Sequence, residues 1–272
     1  MEVGIIIEEN PISRCYINIL KENNIKLKNT ILLEEKLLIP NFISLRLSFN
    51  RNNYWPLSFL REKNFLHLTH QIEDYFNFPR NFCREMYRFK NIHDVSDEIT
   101  FTNSQNINSK NSINLIKESK NNLFFNTGKQ IYKKILEVNK KFIHIHPGYL
   151  PEIKGADGSL WHIKQYGNLG VSSFFMNKEI DGGLVIEKEK LPAPKFSLIN
   201  YKELNIKTLY RLWFSFFDPL LRGWHFKKLI KKKNLSINSH ETENLNKIHN
   251  SQYFSFMNEN QLKETFNKVF KK

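Results

Sequence analysis

The chain has 272 residues, 40% of them hydrophobic, enough for one large α/β domain with an appendage and too apolar for wholesale disorder. Lysine and arginine total 41 against 27 acidic residues, a formal charge of +14 that favours anionic partners. The surplus is spread through apparent loops, so it reads as compositional drift rather than a focused nucleic-acid footprint, while two cysteines, Cys15 and Cys83, exclude a disulfide framework and suit a reducing, cytoplasmic compartment.

The opening residues, MEVGIIIEEN, carry no basic stretch ahead of an apolar core, so no secretory leader is expected. No apolar run approaches the roughly 18 residues of a membrane span. Val3 to Glu8 predicts a buried parallel strand, Ile12, Tyr16, Ile19 and Leu20 a helix after Pro11, and Thr30 to Leu33 a second strand, together a βαβ unit. Residues 41–97 show no clean period and receive no assignment. Strands are then predicted at Ile99–Thr102 and Leu123–Phe125, with a helix at Asn111–Ser119 between them. Ile131, Ile135 and Leu136 predict a short helix. Phe142–His146 reads as a strand, Gly158–Tyr166 as a helix, Val171–Met176 as a strand, and Leu184–Leu191 as an extended run ended by Pro192 and Pro194.

The expected fold class is α/β, a Rossmann-like open, mostly parallel sheet with flanking helices over residues 1–194. A small, mostly helical extension would follow over 195–272. In that extension Leu209, Leu212, Trp213, Phe216, Phe217, Leu220 and Leu221 keep helical spacing, predicting an amphipathic helix bent at Pro219. Its apolar face is expected to be core or a homodimer contact. His225 to Lys233 reads as a basic, solvated helix end, and residues 252–270 as a small terminal helix.

The densest chemistry lies in FIHIHPGYLPEIKGADG, Phe142 to Gly158. Side chains alternate along a strand, so His144 and His146 share one face and Ile143 and Ile145 the other. Pro147 and Gly148 end the strand, and ligands of open parallel sheets bind beyond strand carboxyl ends. Farther on, Asp181 precedes Gly182 and Gly183; alone this is an ordinary turn. VGIIIEENP lacks a dinucleotide fingerprint, and Gly128-Lys129 lacks the earlier glycine of a P-loop. A metal hydrolase using the His-x-His pair, with Asp157 and His162 nearby, is an alternative that gives the Pro-Gly-Tyr-Leu-Pro loop no role.

Taken together, these segments resemble the catalytic core of the folate-dependent formyltransferases. That family's pattern is Asn-x-His-Pro, Leu-Pro, a glycine, a Gly-x-[ST] strand, and a hydrophobic-Asp-x-Gly turn. Here it stands as His144, His146, Pro147, Leu150, Pro151 and Gly155, then Gly170 to Ser172, then Ile180, Asp181 and Gly183. LFFNTGKQIYKKIL resembles the strand, glycine turn and helix that help hold the folate. The resemblance runs from about Ile99 to Leu191 and is weak before that.

It implies N10-formyltetrahydrofolate as formyl donor, with Gly128, Gln130, Ile131 and Ile180 on the folate side, and no metal. His144, His146 and Asp181 would be the catalytic residues. By this analogy a protonated His146 and His144 meet the formyl oxygen while Asp181 accepts the proton of the attacking amine and keeps His146 charged. The departure is His144, where the family has asparagine; an imidazole can still donate one hydrogen bond. The same departure leaves open a non-catalytic folate- or nucleotide-binding relative, and a formyltetrahydrofolate hydrolase shares the core. For the acceptor, resemblance and length favour a small-molecule amine on a nucleotide-linked amino sugar over methionyl-tRNA. The tRNA enzymes carry a longer C-terminal β-barrel.

Overall fold

A computed structural model describes residues 3–33, 55–88, 91–232 and 251–271. The central sheet opens with β1 (Gly4–Ile7), crosses over α1 (Pro11–Glu22) and returns as β2 (Leu27–Leu32), parallel to β1 as the βαβ reading predicts. Asn10 caps α1, its side chain accepting from the Ile12 and Ser13 N–H groups and donating to the Thr127 carbonyl. That last bond ties the start of the helix to the far end of a neighbouring strand.

Part of the unassigned 41–97 stretch is helical: α2 (Trp55–Phe59), α3 (Lys63–Tyr75) and α4 (Phe82–Met86). The remainder of the first half follows as β3 (Ser96–Phe101), α5 (Lys110–Glu118) and β4 (Leu123–Asn126). Ile131, Ile135 and Leu136 do not share a helix. Only Lys134–Glu137 winds, as a single 3₁₀ turn, and Ile131 lies 57% exposed ahead of it.

The second half contains β5 (Lys141–His146), β6 (Ile153–Gly155), α6 (Gly158–Tyr166), β7 (Asn168–Phe175) and β8 (Val185–Pro192). The seven-stranded order is β3-β2-β1-β4-β5-β7-β8. Neighbours from β3 to β5 are parallel, whereas β5–β7 and β7–β8 are antiparallel, so the sheet is Rossmann-like with a reversed edge. Alternation serves both faces: Ile5, Ile7, Phe125 and Ile143 enter one core, Ile6, Phe124 and Phe142 the other. That two-sided burial explains why the strands read as continuous apolar runs.

Past Pro194 come β9 (Phe196–Ser197), α7 (Ile206–Leu212), a π-helical stretch over Trp213–Phe217, and α8 (Asp218–Lys231). The apolar stripe from Leu209 to Leu221 is at most 3% exposed within this one chain. It is therefore core, and the homodimer contact expected of this face has no surface left to use. The helical path widens into a π-helical turn across Trp213–Phe217, just ahead of Pro219. Helix α8 lies on α1, with Tyr16 and Phe226 stacked at 4.1 Å. Helix α8 thus packs directly on the α/β unit, against α1, β5 and β7.

The chain ends with β10 (Gln252–Phe254), α9 (Glu259–Val269) and β11 (Phe270–Lys271). Strand β10 pairs with β6, β11 pairs with β9, and α9 packs on α6. The stretch expected as one terminal helix is therefore a strand, a helix and a strand. Within the described residues no helix is long and apolar enough to cross a membrane.

Candidate active site

His144 and His146 stand on β5 and, with Asp181, line one cavity of about 440 Å³. The alternating Ile143 and Ile145 are buried in the core behind them, as strand alternation requires. His146 Nδ1 lies 3.5 Å from Asp181 Oδ2 although the residues are far apart in sequence. His146 Nε2–H donates to the Ile153 carbonyl at 3.0 Å, which places a ring proton on Nε2 and turns Nδ1 toward Asp181.

Asp181 sits at φ 51°, in the left-handed region that short polar residues tolerate. The Gly155 N–H donates to its Oδ2 at 2.8 Å. Gly155 itself has φ 93°, and a Cβ there would collide with the Phe254 carbonyl oxygen. Only glycine permits both that turn and that approach.

Burial lowers the His146 pKa from its ordinary 6.5, outweighing the Asp181 carboxylate that pulls it upward, while Arg222 pushes it further down. The Nε2 proton of His146 is engaged by Ile153, and burial works against the second proton that an imidazolium would carry on Nδ1, while Asp181 works for it. Asp181 is held below the usual carboxylate range. Burial alone would raise it, but His146, His144, the Gly155 N–H and the Arg222 guanidinium together outweigh that effect. An imidazole nitrogen and a carboxylate thus face one another across 3.5 Å.

His144 has different company. Its Nδ1 is 3.3 Å from the Asn126 amide nitrogen and its Nε2 is 3.3 Å from Arg222 Nη1. Burial, and then the Arg222 charge, lower its pKa to about 3. Arg222 also donates to the Ile145 carbonyl, and its Nε binds Asp218 Oδ2 at 2.8 Å. Asp218 Oδ1 is buried with no hydrogen-bond partner among the described residues. Asn126, Asp218 and Arg222 all line the cavity, and sequence reasoning singled out none of them as a site residue. Their signal was faint: an Asp-x-x-x-Arg spacing and an asparagine ending a strand are both common.

Gly128, Gln130, Ile131 and Ile180 line the same cavity. Ile131 and Ile180, 57% and 45% exposed, give it apolar lips, and Phe256 is a third exposed apolar lining residue at 74%. Gln130 is committed to the protein, accepting from the Ile107 N–H at 3.0 Å and donating to the Gln105 carbonyl at 2.6 Å. An apolar slot with acceptors and donors at its floor fits a flat heteroaromatic ring bearing a polar reactive arm.

Asp157 and His162 do not join the paired histidines as ligands. Asp157 accepts from Tyr210 Oη and the Met257 N–H, both at 2.8 Å, and His162 Nδ1 donates to the Asn168 carbonyl. Among the described residues no three His, Cys, Asp or Glu side chains are arranged to hold a metal ion.

No family model matches the chain, and no curated protein does. Solved structures do. The chain is similar to a sugar N-formyltransferase from a Shewanella species at 16% identity, covering 93% of this chain and 75% of that one, with a TM-score of 0.45. An N-formyltransferase from Helicobacter canadensis, in complex with folinic acid and dTDP-3-aminofucose, is 18% identical, with 93% and 70% covered and a TM-score of 0.48. Phosphoribosylglycinamide formyltransferase from Streptococcus pneumoniae is 13% identical over 84% of this chain and 96% of that one, TM-score 0.43.

Proposed function

We propose that the protein is an N-formyltransferase that moves a formyl group from N10-formyltetrahydrofolate to a primary amine carried by a nucleotide-linked amino sugar. The observation that carries this reading is the 3.5 Å approach of His146 Nδ1 to Asp181 at the floor of the cavity. The motif resemblance requires that meeting, and the distance between the two residues in sequence does not guarantee it.

The reduced folate supplies an activated formyl group when bound. Ile131 and Ile180 would hold its ring system between them, with the Gly128 turn beside it. His146 Nδ1 and the Asp181 carboxylate then form the basic end of the site: both accept, so an entering amine is oriented by its N–H bonds and loses its proton there. The donors around His144 form the other end, where negative charge gathers on the formyl oxygen. The amino-sugar acceptor follows from the motif resemblance, and the exposed ring of Phe256 offers it an apolar contact.

The test is to incubate purified protein with N10-formyltetrahydrofolate and a panel of nucleotide-linked amino sugars and to follow formylated product by mass spectrometry. Transfer to at least one sugar, lost in Asp181→Asn, is the expected result. Donor binding without transfer to any amine would sink the reading in favour of a binding protein, and formate release without product would favour a hydrolase.

A further inference from the structure

His144 meets donors on both sides, and no protonation state of an imidazole satisfies that arrangement. The Arg222 guanidinium only donates and has no acceptor to offer. Its Nη1, 3.3 Å from His144 Nε2, requires a lone pair there, so the ring hydrogen belongs on Nδ1. The neighbour of Nδ1 is the Asn126 amide nitrogen at 3.3 Å, and that amide cannot turn round. Asn126 Oδ1 already accepts from the Gly128 N–H at 2.7 Å and from Tyr132 Oη at 2.9 Å. The other Asn126 Nδ2 contacts are long: the Gly128 carbonyl at 3.4 Å and Met176 sulfur at 3.7 Å. Two N–H groups therefore lie side by side, on residues that both line the cavity, with no strong acceptor for either among the described residues.

We propose that Arg222, clamped by Asp218, is a positioning residue that fixes the tautomer of His144 and so leaves its Nδ1–H, beside the Asn126 amide, free for the formyl oxygen. This rests on the formyl-transfer reading. The clamp is well built: Arg222 and Asp218 side chains are 13% and 3% exposed, lie one turn apart on α8, and share a 2.8 Å bond. A second Arg222 contact, to the Ile145 carbonyl, ties the guanidinium to the strand that carries both histidines. The amide missing at position 144 is thus supplied from the neighbouring strand, and the charge that a neutral histidine lacks is supplied by α8. An oxygen gathering negative charge finds donors in place before it forms, with little to reorganise.

The experiment joins a spectroscopic and a kinetic readout. Long-range ¹H–¹⁵N correlation of the His144 ring should show a single Nδ1–H tautomer in the wild type. In Arg222→Gln the ring should move to a mixture of tautomers, and formyl transfer should fall by on the order of 100-fold in kcat while KM for the folate stays within about threefold. Arg222→Lys, which keeps a charged donor on a shorter reach, should recover part of that loss. It also stands in if the glutamine variant melts early. A wild-type Nε2–H tautomer, or a glutamine variant with unchanged tautomer and kcat, would overturn the proposal. If the wild type transfers no formyl group yet the tautomer still depends on Arg222, the positioning stands and the formyl-transfer reading is what fails.

Discussion

Two imidazoles stand two residues apart on one strand face and live in opposite surroundings. His146 is paired with a carboxylate, so its end of the cavity gathers acceptors. His144 is paired with a guanidinium and an amide, so its end gathers donors. The contrast teaches that the identity of a side chain does not set its task. The neighbouring elements do: the Asp181 turn for one ring, α8 and β4 for the other. Formyl transfer needs both kinds of end, one to take a proton and one to hold an oxygen.

The sharpest way to break this contrast is at the acceptor end. Asp181→Asn keeps the size of the side chain but removes the base, and transfer should fall by about 10² to 10⁴-fold in kcat. A loss below tenfold in steady-state assays would remove Asp181 from the proton path. Next comes the donor end. His144→Leu should cost on the order of 100-fold, whereas His144→Asn retains an N–H donor and should stay within about tenfold of wild type. Equal losses in the two variants would mean that the ring, not its N–H, is what matters.

Acid stability sharpens the comparison further. An unfolded histidine takes up its proton near 6.5, but folded His144 resists protonation down to about 3. Across that window the unfolded chain binds more protons, so stability rises with pH and is fully present above 6.5. Asp181 has the same sign, but its contribution is lost only below its ordinary 3.8. Thermal melts from pH 6.5 down to about 4.5 therefore contain the His144 contribution but not that of Asp181, and His144→Asn should flatten their slope. An unchanged slope would mean that His144 is charged in the folded protein. The smallest effect belongs to Phe174, whose ring meets His144 edge-on with centroids 5.8 Å apart. Phe174→Leu should cost less than about 1.5 kcal/mol by chemical denaturation and keep transfer within about tenfold. A larger kinetic loss would give ring packing, rather than charge, the leading part at that end.

Much of this was legible beforehand for a physical reason: the parallel strands are apolar on both faces, and alternation alone puts His144 and His146 together. Helix α6 reads directly from its flanking glycines, Gly158 and Gly167. Helix α3 was missed although Phe65, Leu68, Thr69 and Ile72 carry a helical period, because the aromatic and asparagine-rich stretch around it masks the pattern. The stripe from Leu209 to Leu221 was found, but periodicity cannot tell an internal face from a subunit contact. Arg222 was illegible as a site residue, since its role depends on α8 crossing β5. The depth at which His146 and its carboxylate partner are buried was illegible too, and burial lowers the ring's pKa where the pairing alone would raise it.

The pairing of β10 with β6 has a consequence for how the protein comes into being. Gly155, whose N–H fastens Asp181, takes its place alongside Phe254, and Ala156 donates to the Phe254 carbonyl at 2.9 Å. A chain still on the ribosome and grown only as far as β8 already contains His144, His146 and Asp181. It lacks the strand that steadies their loop. Competence for chemistry arrives late in synthesis, after the whole stretch from β9 to β10 has emerged to latch the segment shut.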